Sequence, residues 1–344
     1  MTLKELAAHL GLSPTTVSRA LNGYPEVSPE TRARVENAAR QLNYTPNMQA
    51  QRLARGRSQA IGHVVALHDH QIINPFFAEF IAGASETYSA RGYEMVLSVV
   101  PVGQEEDVYR TMAGRHTVDG VILHNVRDDD ERLGLLDELG LPFVVHGRSN
   151  LVQEGYTYLD VANARAFEKG AKHLIELGHR RIGLLNGVHG LSFARRRLMG
   201  YGRALEAAGI GLDDSLVHHG EMTEGYGYDA MVAWLDTADG PTAVMTSSIL
   251  TAFGIARALA ERGMVPGREV SILTHDDGLS YMANGAPERP LFTACHSSIR
   301  AAGRRCAEML VEMVENPGIE VPCEVWETEF ILGRSTGPVQ MELE

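Results

Sequence analysis

The sequence predicts an α/β protein in two parts: a small three-helix module, then a larger body of parallel sheets covered by helices. Three observations carry this. The first 45 residues hold three short amphipathic segments, each with its own start signal. From Ile61 onward, short apolar runs alternate with helical stretches. The charge divides at the same place. Residues 1–60 carry eight basic and four acidic side chains, a surplus of +4, while the 344-residue chain is −13 overall, which leaves −17 for the remainder. Taken alone, −13 argues against nucleic acid as a partner; a small basic module on an acidic body permits it.

The first helix is read from Leu3, Leu6, Ala7 and Leu10, which share one face at i, i+3, i+4 and i+7. Thr2 and Glu5 form a T-x-x-E capping box before it, and Gly11 ends it. Ser13 then sits at an N-cap with Pro14 in the first helical position. Val17, Ala20 and Leu21 give the second helix its inner side, which ends near Asn22-Gly23. Ser28-Pro29-Glu30 repeats the start signal, and Val35, Ala38, Ala39 and Leu42 face inward from the third helix. The tight turn at Gly11 makes the first two a helix-turn-helix, whose second helix is built to enter a DNA major groove. That helix presents Pro14, Thr15, Thr16 and Arg19 as the base-contacting set. Arginine pairs bidentately with guanine, and hydroxyls reach base edges or the thymine methyl. Ser18, Asn22, Ser28, Thr31, Tyr44 and Asn47 lie at polar edges suited to phosphates. A plain three-helix bundle with a solvated polar face is the alternative; the helix and turn spacing favours DNA.

The segments LKELAAHLGLSPTTVSRALNG, VSPETRARVENAARQLNYTPN and AQRLARG resemble the lactose-repressor/galactose-repressor (LacI/GalR) family of bacterial transcription regulators. T-V-S-R-x-L-N and L-N-Y-x-P-N at this separation are far more specific than a lone helix-turn-helix. The resemblance implies a homodimer on double-stranded DNA, each headpiece (1–45) reading half of a near-palindromic operator. It also implies a hinge helix and linker at 46–58. Pro46 is placed to start that helix and Gly56 to end it, but the segment is too short and too poor in apolar residues to hold alone. It is therefore expected to fold on DNA, with Leu53 implied as the apolar wedge in the minor groove. A disordered linker with an incidental leucine is the other reading.

In the body, apolar runs at 61–67, 93–100, 119–124, 142–147, 181–185, 242–246 and 269–275 read as strands. Helical stretches at 76–91, 162–177 and 192–208 lie between them. Short buried strands alternating with helices predict parallel sheets covered on both faces. The length exceeds what one sheet needs, so two lobes with a cleft fit better, and ligands in such folds bind at the carboxyl ends of the strands. DVANARAFEKGAKHLIELGHRRIGLLNG, RRRLMGYGRALEAAG and REVSILTHDDGLS extend the family resemblance across the chain. It implies two periplasmic-binding-protein-like, Rossmann-type lobes joined by three crossings. The first lobe would take 59–159 with 292–320, and the second 160–291 with 321–344.

Asp69, Asn74, Phe76 and Phe77 follow the first strand, Arg197 lies on the helix after RIGLL, and Asp276 follows EVSILTH. A carboxylate and a guanidinium facing a cleft each take two ligand hydroxyls, which suits a mono- or oligosaccharide. Phe76, Phe77 and Met222 would cover its apolar faces. By resemblance Arg197 and Asp276 are the strongest effector contacts; a salt bridge bracing the cleft is the alternative. The chain departs from the family pattern twice. Ser247-Ser248-Ile249 stands where the family has an Asn-Asp turn, so Ser248 would replace the amide, and His146-Gly147-Arg148 stands where an acid is common. His146 and Ser248 therefore join the expected effector set. A sugar is the expected effector and a purine-like co-repressor the runner-up.

Other chemistry finds little support. No apolar run approaches the roughly 18 residues of a membrane helix, and the polar start MTLKELAAHLGLS is no signal peptide, so a cytoplasmic protein without membrane contact is expected. Cys295, Cys306 and Cys323 read as free thiols. His68-Asp69-His70 and His218-His219 lack partners at metal-ligand spacing. No H-E-x-x-H, G-x-S-x-G, Walker A or complete G-x-G-x-x-G occurs, so no catalytic residues, metal or cofactor are expected. A transport solute-binding protein would share the lobes but leaves the headpiece unexplained. The chain ends soon after its last strand without a leucine-heptad tail, which favours a dimer over a tetramer.

Overall fold

The computed structural model describes residues 1–21, 23–44, 57–67, 75–149 and 155–340. Contacts divide the chain into two units, Met1–Ser58 and Gln59–Glu344.

In the first unit, local signals set three helices: α1 (Leu3–Leu10), α2 (Pro14–Leu21) and α3 (Pro29–Gln41). The capping box closes both ways. The Thr2 amide donates to Glu5 Oε2 at 2.8 Å, and the Glu5 amide donates to Thr2 Oγ1 at 3.3 Å. Gly11 ends α1 in the left-handed region, at φ 67°. Ser13 Oγ accepts from the Thr16 amide at 3.0 Å and Ser28 Oγ from the Thr31 amide at 3.2 Å, which starts α2 and α3. Leu6, Ala7, Val17, Ala20, Val35, Ala38 and Ala39 form the core, joined by Val27 from the α2–α3 connection. Arg34 donates to the Leu10 carbonyl at 2.5 Å and Arg32 to the Tyr24 carbonyl at 2.8 Å, so part of the basic surplus braces the fold.

The second unit holds two sheets. The first is built from β1 (Ala60–Leu67), β2 (Glu94–Pro101), β3 (Gly120–Leu123), β4 (Phe143–His146), β5 (Thr157–Val161) and β13 (Glu324–Trp326). Its order is β13-β5-β4-β3-β1-β2, all parallel. The second is built from β6 (Ile182–Asn186), β7 (Val217–His219), β8 (Ala243–Thr246), β9 (Ser271–Asp276), β12 (Thr293–His296) and β14 (Glu329–Ile331). Its order is β14-β12-β9-β8-β6-β7, parallel except for β14. A short hairpin, β10 (Gly285–Ala286) with β11 (Arg289–Pro290), precedes β12. The helices are α4 (Pro75–Arg91), α5 (Glu105–Gly114), α6 (Glu131–Glu138), α7 (Asn163–Glu176), α8 (Ser192–Ala207), α9 (Glu224–Leu235), α10 (Ile249–Glu261) and α11 (Ile299–Glu315). Among the described residues, no helix is long and apolar enough to cross a membrane.

The lobe boundaries differ from expectation at both ends. β12 was expected in the first lobe but lies inside the second sheet. Ala294 pairs with Thr274 on one side and Ile331 on the other, because a buried strand must satisfy its backbone along both edges. Residues 321–327 were expected in the second lobe, yet β13 extends the first sheet, with Glu324 opposite Leu159 in β5, which itself runs on to Val161. The chain thus passes between lobes three times: after β5, before α11 and after β13.

Helices α4 and α11 pack on the first lobe around Phe80, Ala84, Tyr88, Cys306 and Leu310. Their backbones meet through glycine. A Cβ on Gly83 would fall 1.8 Å from the Arg300 carbonyl oxygen, and one on Gly303 would fall 2.0 Å from that of Phe80.

Candidate functional site

On the first unit, α2 exposes Pro14, Thr15 and Arg19, with Thr16 and Ser18 half-buried beside them. Thr16 Oγ1 lies 2.8 Å from Ser13 Oγ, so both hydroxyls help cap the helix they decorate. At the start of α3 the Ser28 hydroxyl donates to Thr31 Oγ1 at 2.9 Å. Helix starts also offer backbone N–H groups and a positive dipole end to an anion. Tyr44 packs partly against the headpiece core. Asn22, Asn47, Leu53 and the hinge helix expected at 46–56 lie outside the described residues, as do Asp69 and Asn74.

In the second unit, residues at or just past the carboxyl ends of strands in both sheets gather around Asp277, whose charge reaches His146 of the first lobe and Arg197 of the second. On the first-lobe side a buried histidine and phenylalanine array lies beneath the strand ends. His63, in the middle of β1, places Nδ1 3.0 Å from His124 Nε2 and Nε2 2.8 Å from the Tyr88 hydroxyl. His124 follows β3 and meets Phe77 and Phe80 edge-on, with ring centroids 5.1 and 4.8 Å away. His146, the last residue of β4, lies 4.7 Å from the Phe80 ring. Burial pushes His63 down to about 3 and His146 to about 4, with Asp277 acting against the shift at His146. His124 is also held well below its ordinary value, by burial and by its histidine neighbours. All three imidazoles are neutral at pH 7.

The second-lobe wall centres on Arg197. Its Nε donates to Asn163 Oδ1 at 2.8 Å and its Nη1 to the Ser247 carbonyl at 2.6 Å. Phe167 and Phe193 flank the guanidinium at 5.0 and 4.9 Å. Burial lowers Arg197 to about 10, with Asp277 the first of the charges opposing it.

Several expected contacts are occupied elsewhere. Asp276 Oδ1 accepts from the Gly278 amide at 2.9 Å, and its Oδ2 lies 3.4 Å from His296 Nδ1. Burial would raise this carboxyl, but the His296 and Gly278 contacts outweigh it and hold it below the usual range. Asp276 therefore braces its own turn. Asp277 differs. Its Oδ1 lies 3.4 Å from His275 Nε2, and its Oδ2 is buried without a hydrogen-bond partner among the described residues. Its charge is felt by both Arg197 and His146, on opposite walls. Ser248, expected to reach the ligand, is fully buried and caps α10, accepting from the Leu250 amide at 3.1 Å. Phe76, expected on the ligand face, is buried among Ile249, Leu279 and Phe292 of the second lobe. Met222 packs at the edge of the same cluster.

The lobes also touch beside the cleft. The Ser192 amide donates to the Val126 carbonyl at 3.0 Å, and its hydroxyl donates to that of Arg148. Arg148 Nε in turn donates to Asp160 Oδ2 at 2.8 Å.

Residues 2–47 match the bacterial regulatory proteins of the lacI family, and residues 171–336 match a periplasmic binding protein-like domain. The HTH-type transcriptional regulator AglR of Rhizobium meliloti (strain 1021) is 44% identical over 98% of this chain and 95% of its own length. This chain belongs to the lacI family of bacterial regulatory proteins. It is a transcriptional regulator, not an enzyme. The solved complex of the transcriptional regulator CelR with cellobiose is 33% identical, covers 97% of this chain and 99% of its own, and superposes with a TM-score of 0.70. The lac repressor dimer bound to operator and the anti-inducer ONPF has the same fold, with a TM-score of 0.84 at 24% identity over 98% of this chain and 99% of that one.

Within this lacI-family cleft, sequence reasoning missed His63, His124, Asn163 and Asp277. A signal existed for the first two. A histidine inside or directly after an apolar run of a buried parallel strand has no solvent to face, so it must face a neighbour or a ligand.

Proposed function

We propose that the chain is a repressor of carbohydrate-utilisation genes whose operator affinity is set by a sugar held between its lobes. One observation carries the sugar reading: the Asp277 carboxylate oxygen, buried without a partner, between Arg197 and the His146 wall. Water-sized or hydroxyl donors are what such an oxygen lacks, and the half-buried Phe77 supplies aromatic surface for an apolar face of a pyranose. The CelR relative, solved with cellobiose, supports the same class. Asp277 thus takes the role expected of Asp276, and Arg197 keeps its own.

Pro14, Thr15, Thr16 and Arg19 read bases in this account. Ser18, Asn22, Ser28, Thr31, Tyr44 and Asn47 hold phosphates, and Leu53 wedges the minor groove. Homodimer formation is favoured by the outer strand of the first sheet: Met95, Leu97 and Val99 of β2 and the adjacent Val102 are exposed apolar residues on an unpaired edge. The effector acts by its preference for one lobe arrangement over another. A thermal-shift screen of full-length chain against disaccharides, monosaccharides and nucleobases tests the ligand class. A rise in melting temperature with a sugar supports the reading. A rise with hypoxanthine or guanine alone replaces it with a purine co-repressor.

A further inference from the structure

Helix α4 and the loop after β9 belong to different lobes, and one carboxylate joins them. Glu79, on α4, is only 5% exposed. Its Oε2 accepts from the Ser280 hydroxyl at 2.7 Å and from the Ser280 amide at 3.3 Å. Its Oε1 lies 3.2 Å from Arg300 Nη1, in the first turn of α11. Burial alone would raise its carboxyl; the Ser280 bonds and Arg300 outweigh burial and hold it below the usual range. Glu79 is therefore an ionised group whose hydroxyl and amide donors come from the other lobe.

Three features make this contact more than a surface bond. Ser280 stands three residues after Asp277, so the loop that Glu79 grips is the loop whose carboxylate faces the cleft. Phe76, one turn before Glu79 on the same helix face, enters the second-lobe cluster beside Leu279, the neighbour of Ser280. And α4 is held against α11 by the Gly83 and Gly303 contacts, so the base from which Glu79 projects is close-packed on the first lobe. Arg300 also bonds Glu86 on α4, at 2.9 Å, which steadies the guanidinium that faces Glu79.

We propose that Glu79 is a positioning residue that ties the Asp277-bearing loop of the second lobe to α4 of the first, and so sets the lobe arrangement. Its regulatory meaning rests on the effector reading above, but the tie is measurable with neither sugar nor DNA. Removing one partner strands the other, because a buried carboxylate loses donors it cannot replace.

The test uses the full chain with Cys323→Ser, which removes the exposed thiol; Cys295 and Cys306 are buried. Burial raises both remaining thiols, that of Cys295 to about 11, so they resist labelling. Spin labels at Arg110→Cys and Glu206→Cys, both exposed and on opposite lobes, report the inter-lobe distance by pulsed electron resonance, with unlabelled chain in excess. The tie predicts one narrow distance in the parent and in Ser280→Thr, and a longer or broader distribution in Glu79→Gln and Ser280→Ala. Ser280 is exposed, so Ser280→Ala folds even if Glu79→Gln does not. Unchanged distributions in Ser280→Ala overturn the proposal. A response to Ser280→Ala in a chain that neither disaccharides nor monosaccharides stabilise upholds the tie and contradicts only the sugar reading.

Discussion

His63 Nδ1 and His124 Nε2 lie 3.0 Å apart in the interior of the first lobe, and the far nitrogen of His63 meets the Tyr88 hydroxyl at 2.8 Å. Burial, not the hydrogen bonds, keeps the His63 ring neutral. When Nδ1 of His63 donates to His124, Nε2 accepts from Tyr88; a charged ring would donate from both nitrogens, with the Tyr88 hydroxyl turning to accept, but it would bury its charge.

The first prediction follows from that pair. Burial holds His63 at about 3 and lowers His124 as well, whereas an unfolded histidine titrates near 6.5. Below pH 6.5 the unfolded chain binds more protons than the folded one. Stability is therefore complete above that pH and is lost as pH falls below it, by about 1.4 kcal/mol per pH unit for each buried histidine. Urea midpoints between pH 7 and 5 should fall accordingly, and His63→Gln should flatten the slope by about one histidine's share.

The two adjacent carboxylates separate by role. Asp277→Asn should abolish stabilisation by whichever sugar raises the melting temperature of the parent, while leaving DNA binding intact. Asp276→Asn should weaken the Gly278 and His296 contacts and lower the melting temperature, yet still bind that sugar. Calorimetric titration of both variants decides the point. Equal sugar affinity in Asp277→Asn and the parent removes Asp277 from the pocket.

Gly303→Ala puts a methyl group 2.0 Å from the Phe80 carbonyl oxygen, so α4 and α11 must separate. The expected cost is about 1–3 kcal/mol, the range for overpacking a close contact. Thermal denaturation measures it; an unchanged midpoint would show that the helices can part freely.

Arg19→Ala should cost about 1–3 kcal/mol of sequence discrimination if it reads a base. Affinity for unrelated DNA should change far less, and the core should melt as before. A mobility-shift comparison of specific and random duplexes separates these effects. Loss spread evenly over all sequences would make Arg19 a phosphate contact instead.

Where local chemistry decides the outcome, the sequence was legible. Thr2 with Glu5, Ser13 with Pro14 and Ser28 with Pro29 announce three helices that form as expected, because caps act within four residues. The apolar runs at 142–147 and 242–246 form strands as expected, because short apolar runs between turn signals bury themselves in a sheet. What escaped was decided at a distance. β12 and β13 exchange lobes because their pairing partners, β9 and β5, are set elsewhere in the chain. Ser248 had two possible uses, ligand or cap, and the start of α10 claimed it. Asp276 and Asp277 are equivalent in sequence; the Gly278 turn, at φ 69°, and His296 from a neighbouring strand make them different.

The central claim is that a sugar controls sequence-specific DNA binding. The most direct measurement selects bound duplexes from a randomised pool with the full-length chain, then titrates the selected site with and without each member of a disaccharide panel that includes cellobiose. The account predicts a near-palindromic site of two half-sites, and a sugar that changes affinity for it at least about tenfold, or 1.4 kcal/mol. A pool from which no site is enriched, or a site whose affinity no sugar alters, would contradict it.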